Sequence, residues 1–188
     1  MTTTVLVIGA GYAGVTAANR IAAARAGEVT VLDPRDEFVE RIRLHRLAAG
    51  SGAATVPLRR VLDPRVRTRR ARVTAIGDGA VTLDGGDLLR FDRLVYAVGS
   101  GGGPAPGDGH RVDTLEGATR LHDAVAALPD GRAVTVVGGL IVGAGDAVVQ
   151  LVDSRDRPRR LTVGGRAGAL VKEQVCRYTL RAVRGRAA

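Results

Sequence analysis

A short apolar run, a glycine-rich turn and an alanine-rich segment open the chain, and their order constrains the fold more than any other feature. Residues 4–8 are mostly β-branched and predict a buried strand. After the turn, residues 15–26 predict a helix, and residues 29–32 predict a second strand that ends at Asp33. Strand, helix and strand within about thirty residues make a βαβ unit. The sequence therefore predicts an α/β fold with a parallel sheet.

The turn carries the spacing Gly9-x-Gly11-x-x-Gly14. Gly9 permits a tight turn, Gly11 lets a pyrophosphate approach the backbone, and Gly14 lets helix and strand pack closely. The amides at the helix start can then hold the phosphate charge. The flanking strand and helix favour a dinucleotide site over a phosphate-free glycine turn. The candidate contacts are Gly9, Ala10, Gly11, Tyr12, Ala13 and Gly14.

Asp33 stands at the end of the second predicted strand. A carboxylate at this place accepts hydrogen bonds from the ribose hydroxyls of a bound nucleotide. Because it disfavours a 2′-phosphate, NADP is not expected at this site. FAD and NAD share the ADP moiety, so the turn and Asp33 alone leave both open.

The middle of the chain predicts a small antiparallel meander followed by further α/β elements. Residues 70–76 and 79–83 alternate around a Gly-Asp-Gly turn and predict a hairpin, which residues 88–91 extend. Residues 94–98 predict a buried strand, and residues 114–128 predict a helix capped by its first residue, a threonine. Other elements are expected at residues 38–49, where arginines recur with a helical period, and at residues 56–58, 133–137, 140–142, 147–152, 161–163 and 167–183.

From residue 4 to about residue 139 the chain resembles the FAD-dependent pyridine nucleotide oxidoreductases, particularly the type II NADH dehydrogenase and apoptosis-inducing-factor-like branch. The stretch from Asp33 to Phe38 is similar to the family's segment after the second strand, and residues 97–99 match its Ala-Thr-Gly turn except at Val98. The resemblance implies a Rossmann-like FAD-binding domain with FAD as cofactor. It adds Arg46, Val73 (through its backbone, to the adenine), Ala97 and Gly99 as cofactor contacts. For Arg46, a solvated helix arginine is the alternative.

The family's second domain, which binds NAD(P)H, does not fit into the rest of the chain. Residues 133–140 resemble its first strand, but only residues 139–188 follow Gly138, and such a domain needs two or more βαβ units. We therefore expect an FAD-binding domain at residues 1–137. Residues 138–188 are expected to be a remnant of the C-terminal region, a hairpin and a basic helix, with most of the NAD(P)H-binding domain missing. Asp146 is expected in a hairpin turn. The alternatives are the position where the family holds the ribityl chain, a second glycine turn of the GxGxxG type, and an anion-hole motif like that of ribokinase-like kinases.

The resemblance implies electron transfer through the flavin between a small-molecule donor and acceptor, NAD(P)H or a quinone. No catalytic side chains are expected, because the flavin carries the chemistry. Two alternatives remain: a truncated, non-catalytic remnant that binds FAD or ADP, and an NAD-binding module.

Composition bears on partners and location. The net charge is +9, but the chain has no Trp, two Phe and three Tyr, so it lacks the stacking platforms of single-strand binders, and no nucleic-acid partner is expected. The three histidines lack metal-ligand spacing, so no metal is expected. The N-terminus has no signal-peptide pattern, which predicts a cytoplasmic protein. The basic helix over residues 167–183 either covers the core or contacts the inner face of the cell membrane. Apolar surface left where the missing domain would pack predicts a partner, and a second copy of this chain, in a homodimer, is one candidate.

Overall fold

The structure is a computed structural model that describes residues 2–99, 109–129, 149–152 and 158–163, together with six helical residues between positions 166 and 178. The chain divides into two compact units. The described residues of the first unit are 2–39 and 55–99. Residues 40–54 and every described residue from 109 onward belong to the second unit.

In chain order the elements are β1 (Thr4–Ile8), α1 (Tyr12–Ala23), β2 (Glu28–Asp33), β3 (Glu37–Val39), α2 (Leu44–Ala48), β4 (Thr55–Pro57), β5 (Arg67–Arg70), β6 (Val73–Ile76), β7 (Ala80–Leu83), β8 (Leu88–Arg90), β9 (Arg93–Tyr96), α3 (Leu115–Ala126), β10 (Val149–Val152) and β11 (Pro158–Val163). Single 3-10 turns lie at Arg41–Arg43 and Leu58–Arg60.

A parallel sheet in the order β5-β2-β1-β9 forms the centre of the first unit. This is the 3-2-1-4 order of a Rossmann sheet, and it confirms the predicted fold class. The order reverses at β1, which has β2 on one side and β9 on the other. In sheets of this kind, ligands bind outside the carboxyl ends of the strands at such a reversal.

The two faces of this sheet are covered by different elements, because successive side chains of a strand point to opposite faces. Val7 of β1 packs in a buried cluster with Val15 of α1. Leu6 and Ile8 pack in a second cluster with Val81 of β7. Helix α1 therefore covers one face, and the antiparallel meander β6-β7-β8 covers the other. The meander is the one predicted from the sequence.

Helix α1 ends earlier than predicted. The sequence predicts residues 15–26 with Gly27 as the stop, whereas the helix spans Tyr12–Ala23. The N–H of Ala26 donates to the Ile21 carbonyl (3.2 Å), and that of Arg25 donates to the Ala22 carbonyl (3.1 Å). Arg25 has a φ of 53°. These are the bonds and the left-handed residue of a Schellman motif, so the helix is terminated at Arg25.

Residues 38–49 are helical only in part, although the helical spacing of their arginines favours a helix. Phe38 is fully buried in β3 and is paired with Val56 of β4, and the α-helix is limited to Leu44–Ala48. Aromatic and β-branched residues suit a half-buried strand pair, so the burial of Phe38 outweighs the helical pattern. The predicted strand over residues 70–76 is also divided: β5 ends at Arg70 and β6 begins at Val73.

The second unit contains α2, α3, β10 and β11. The Thr114 hydroxyl accepts a hydrogen bond from the N–H of Gly117 (3.0 Å), which confirms the predicted cap of α3. The Arg41 guanidinium donates twice to the Asp113 carbonyl (2.9 and 3.1 Å). Strands β10 and β11 pair antiparallel. The strands predicted at residues 133–137 and 140–142, the turn containing Asp146 and the boundary at residue 138 lie outside the described residues.

Across the ranges that the structure describes, no helix is both long and apolar enough to cross a membrane.

Candidate functional site

The glycine turn leaves the carboxyl end of β1 between the ends of β2 and β9. The N–H of Gly9 donates to the Leu32 carbonyl, and the N–H of Ala97 donates to the Ile8 carbonyl, both at 2.8 Å. Gly9 has a φ of 98°, and a Cβ at this position would clash with the Ala97 carbonyl oxygen. The positive φ of Gly9 and the closeness of the Ala97 carbonyl oxygen therefore both require glycine at this position.

Gly14 and Gly11 have opposite surroundings. A Cβ on Gly14 would overlap the Gly9 carbonyl oxygen and would lie 3.4 Å from Cγ1 of Val7. A Cβ on Gly11 would have no atom within 4 Å. Gly14 is therefore a packing glycine, whereas Gly11 borders open space, as expected where a pyrophosphate approaches the backbone.

The start of α1 faces the same space. Gly11 is the N-cap residue in an extended conformation, no side chain caps the helix, and its first turn contains no acidic residue. The positive end of the helix dipole is thus not neutralised by a carboxylate of its own first turn. Such a helix start attracts phosphate groups.

Asp33 lies half-buried at the end of β2. Its Oδ2 accepts the N–H of Ala10 (2.8 Å), and its Oδ1 accepts the N–H of Arg35 (2.9 Å). An ionised carboxylate has about four acceptor positions, so acceptor capacity remains for ribose hydroxyls. The structure thus brings Asp33 into contact with the glycine turn, which the sequence does not reveal.

The remaining predicted contacts fall into two groups. Ala97 touches Gly9, and Gly99, with a φ of 72°, follows it at the same sheet edge. Val73 lies two residues after Ala71, whose N–H donates to the Asp33 carbonyl (3.0 Å). These residues and the glycine turn therefore belong to one region of the first unit. Their roles toward a cofactor stay predictions.

Arg46 belongs to the second unit. It is half-buried in α2, and its Nη2 donates to the Ser51 carbonyl (3.3 Å). Nη2 would also lie 3.0 Å from a Cβ on Gly52, which has a φ of 156°. The loop after α2 thus leaves room for this guanidinium. Its contact with a cofactor stays a prediction.

Phe38 supports the site without being predicted for it. Its ring meets that of Tyr12 edge to face, with centroids 4.9 Å apart and planes at 83°. Such pairs stabilise by about 0.5–1.5 kcal/mol beyond their burial. The sequence signal was an isolated aromatic five residues after Asp33, within a chain that has only two Phe.

A Rossmann sheet with a glycine turn, an uncapped helix start and a carboxylate at its reversal point is the arrangement typical of dinucleotide-binding proteins. Residues 3–163 match the family model described as pyridine nucleotide-disulphide oxidoreductase. The chain belongs to this family of oxidoreductases, and its predicted resemblance to the FAD-dependent pyridine nucleotide oxidoreductases is confirmed.

The relatives include an NADH dehydrogenase-like protein of Mycobacterium tuberculosis, 40% identical over 163 residues, which covers 76% of this chain and 40% of the relative. Ferroptosis suppressor protein 1 of Taeniopygia guttata is 32% identical over 146 residues, with 74% of this chain and 38% of the relative covered. The chain thus spans about two fifths of the length of these curated relatives.

Solved structures share the fold. The sulfide:quinone oxidoreductase from Aquifex aeolicus aligns with a TM-score of 0.54 at 24% identity, covering 66% of this chain and 32% of that one. The NDH2 of Plasmodium falciparum in complex with NADH aligns with a TM-score of 0.54 at 16% identity, covering 69% of this chain and 31% of that one. At such identities the likeness concerns the fold alone.

Proposed function

We propose that this chain binds FAD and passes electrons through the flavin between a small-molecule donor and acceptor. The observation that carries the proposal is the arrangement at the carboxyl end of β1. Gly11 borders open space at an uncapped helix start, and Asp33 stands at the end of the adjacent strand. The ADP half of FAD fits this arrangement, with the pyrophosphate at the helix start and the ribose at Asp33.

The chain's own residues bind and orient the cofactor. Gly9 and Gly14 hold the turn close to β9 and α1, Val73 offers its backbone to the adenine, and Arg46, Ala97 and Gly99 are further proposed cofactor contacts. When bound, the flavin supplies the electron transfer. The name of the NADH dehydrogenase-like relative supports NADH as donor, and the acceptor that the family resemblance implies is a quinone. Anaerobic mixing of the FAD-loaded chain with NADH would decide the donor.

The site is tested by titrating the chain with FAD and following the flavin fluorescence. Gly11→Val is expected to abolish binding, because the side chain fills the space in which the pyrophosphate would lie. Gly85→Val is the matched control, since Gly85 lies in the β7–β8 turn and also has no atom within 4 Å of an added Cβ. It is expected to bind FAD like the unsubstituted chain. If the Gly11→Val variant bound FAD with the same affinity as the unsubstituted chain, the proposed position of the pyrophosphate at Gly11 would be wrong.

We also propose peripheral contact with the inner face of the membrane through the C-terminal helical residues. The six described ones are all exposed: Arg166, Ala167, Leu170, Gln174, Arg177 and Tyr178. Two of them are large and apolar, Leu170 and Tyr178, which are 70% and 74% exposed. Exposed apolar side chains beside the cations Arg166 and Arg177 suit an anionic lipid surface. Cosedimentation with phosphatidylserine vesicles should fall on Leu170→Glu substitution, and unchanged cosedimentation would contradict this contact.

A further inference from the structure

The carboxylate of Asp33 joins two backbone segments that are far apart in the sequence. Ala10 follows β1, Arg35 follows β2, and each donates its N–H to a different oxygen of Asp33, at 2.8 and 2.9 Å. Ala10 is 3% exposed. A buried N–H that loses its acceptor is costly, so the bond from Ala10 is a strong constraint on the turn.

This constraint extends to the start of α1. The peptide between Gly9 and Ala10 is planar, so the bond that holds the Ala10 N–H also fixes the direction of the Gly9 carbonyl. That carbonyl oxygen lies against Gly14 in the first turn of α1, where an added Cβ would overlap it. One carboxylate therefore orients the peptide on which the start of the helix rests.

We propose that Asp33 is a positioning residue that holds the phosphate-binding turn in shape, in addition to its expected role as a ribose acceptor. The proposal rests on the proposed function, because it assumes that this site takes the ADP half of a dinucleotide. Asp33 then contributes to the binding of the pyrophosphate, which it does not itself touch. A carboxylate beside a phosphate site is otherwise unfavourable, since the two negative charges repel.

The substitution Asp33→Asn isolates this role. Asparagine has the same shape but only one side-chain oxygen. It can accept the N–H of Ala10 or that of Arg35, but not both, and its NH₂ group then faces the other donor. The variant removes part of the constraint while it leaves the packing unchanged.

The test compares the affinities of ADP and 2′,3′-dideoxy-ADP, which lacks both ribose hydroxyls, for the full chain and the Asp33→Asn variant. We expect the variant to weaken dideoxy-ADP about tenfold, the loss typical of one hydrogen bond to a charged group. If Asp33 serves only the ribose, ADP weakens and dideoxy-ADP does not, which would overturn the proposal. The titration is done at about 1 M salt, where the screening length is about 3 Å, to suppress the effect of the lost charge.

Asp92→Asn is the matched control. The Asp92 Oδ2 accepts the N–H of Thr4 (2.7 Å) at the opposite end of β1, so the variant weakens the same type of bond away from the site. We expect unchanged affinity for both nucleotides. An equal loss of dideoxy-ADP binding in this variant would assign the effect to general loosening of β1 and would overturn the proposal.

Amide hydrogen exchange tests the same constraint without a ligand. The N–H of Ala10 is expected to exchange slowly in the unsubstituted chain and faster in Asp33→Ala, which removes both acceptor oxygens, but not in Asp92→Asn. Equally slow exchange in a folded Asp33→Ala variant would overturn the proposal. Rapid exchange of Ala10 in the unsubstituted chain would overturn the proposal, whether or not the variant folds. A chain with slow Ala10 exchange that binds neither ADP nor FAD would instead contradict the proposed function.

Discussion

Gly9, Gly11 and Gly14 are chemically identical, yet an added methyl group meets a different environment at each. The carbonyl oxygen of Ala97 blocks it at Gly9, the carbonyl oxygen of Gly9 blocks it at Gly14, and nothing is near it at Gly11. Spacing alone predicts this division of roles, because it follows from how a strand, a turn and a helix meet. The bond from Ala10 to Asp33 was not predictable, since it depends on the approach of residues 23 positions apart.

Gly14→Ala is expected to lower the free energy of unfolding by about 2–3 kcal/mol, because the new methyl group forces α1 away from the Gly9 carbonyl. Gly11→Ala should cost about 1 kcal/mol or less, which reflects only the poorer N-cap residue. Urea unfolding followed by circular dichroism measures both. Equal losses at the two positions would contradict the packing described for this turn.

Arg25→Gly is expected to raise the free energy of unfolding by about 1 kcal/mol, because Arg25 occupies the left-handed C′ position at a φ of 53°. The matched control is Arg20→Gly, an exposed position within α1, which should lower it by about 1 kcal/mol. Thermal unfolding of both variants gives the comparison. A loss of stability in Arg25→Gly would show that the helix ends elsewhere.

At the scale of elements, the sequence predicts the apolar strands β1 and β2 in the interior of the sheet. It does not predict the charged strand β5 at the edge of the sheet. Strands β1 and β2 are apolar runs, whereas the four residues of β5 are all exposed and three are arginines. Arg67 pairs with Glu28 (3.1 Å), Arg70 lies 3.7 Å from Asp36, and Arg69 pairs with Asp87. A strand at the edge of a sheet needs only one partner strand and is commonly charged, so hydrophobic periodicity gives no signal for it.

Asn19 connects α1 to the segment that leads into β5. It is 4% exposed, its Nδ2 donates to the Val61 carbonyl, and its Oδ1 accepts the N–H of Asp63, both at 2.8 Å. Asn19→Ala should cost about 2–4 kcal/mol, because it leaves two backbone groups without these partners and opens a cavity. Thr16→Ala on the same helix is the control and should cost less than about 0.5 kcal/mol. Urea unfolding measures the loss of stability in both variants. Similar losses in Asn19→Ala and Thr16→Ala would contradict the role of Asn19 in connecting α1 to this segment.

At the scale of the whole molecule, the described site fits the nucleotide half of the proposed dinucleotide. Fold class and family were predictable, because they depend on one βαβ unit and on the order of the elements after it. The domain boundary at residue 138 was predicted from the small number of residues that follow Gly138, and it stays a prediction because it lies outside the described residues. The chain spans about two fifths of its curated relatives, so their complete activity is not transferred to it.

If the site takes the ADP half of FAD as proposed, FAD and ADP should raise the melting temperature of the chain, whereas FMN should not. Ligand at about 100 times its dissociation constant adds about 2.7 kcal/mol to the free energy of unfolding. Thermal unfolding with each of the three ligands tests this selectivity. Stabilisation by FMN equal to that by FAD would place the binding determinants away from the glycine turn.

The most direct test of the account is the visible absorbance of the chain after incubation with FAD and removal of free flavin by gel filtration. We expect a flavin band near ~450 nm that elutes with the protein at about one flavin per chain. The same treatment of Gly11→Val should give a colourless protein, whereas Gly85→Val should keep the band. A folded, unsubstituted chain that elutes without the flavin band would contradict the account.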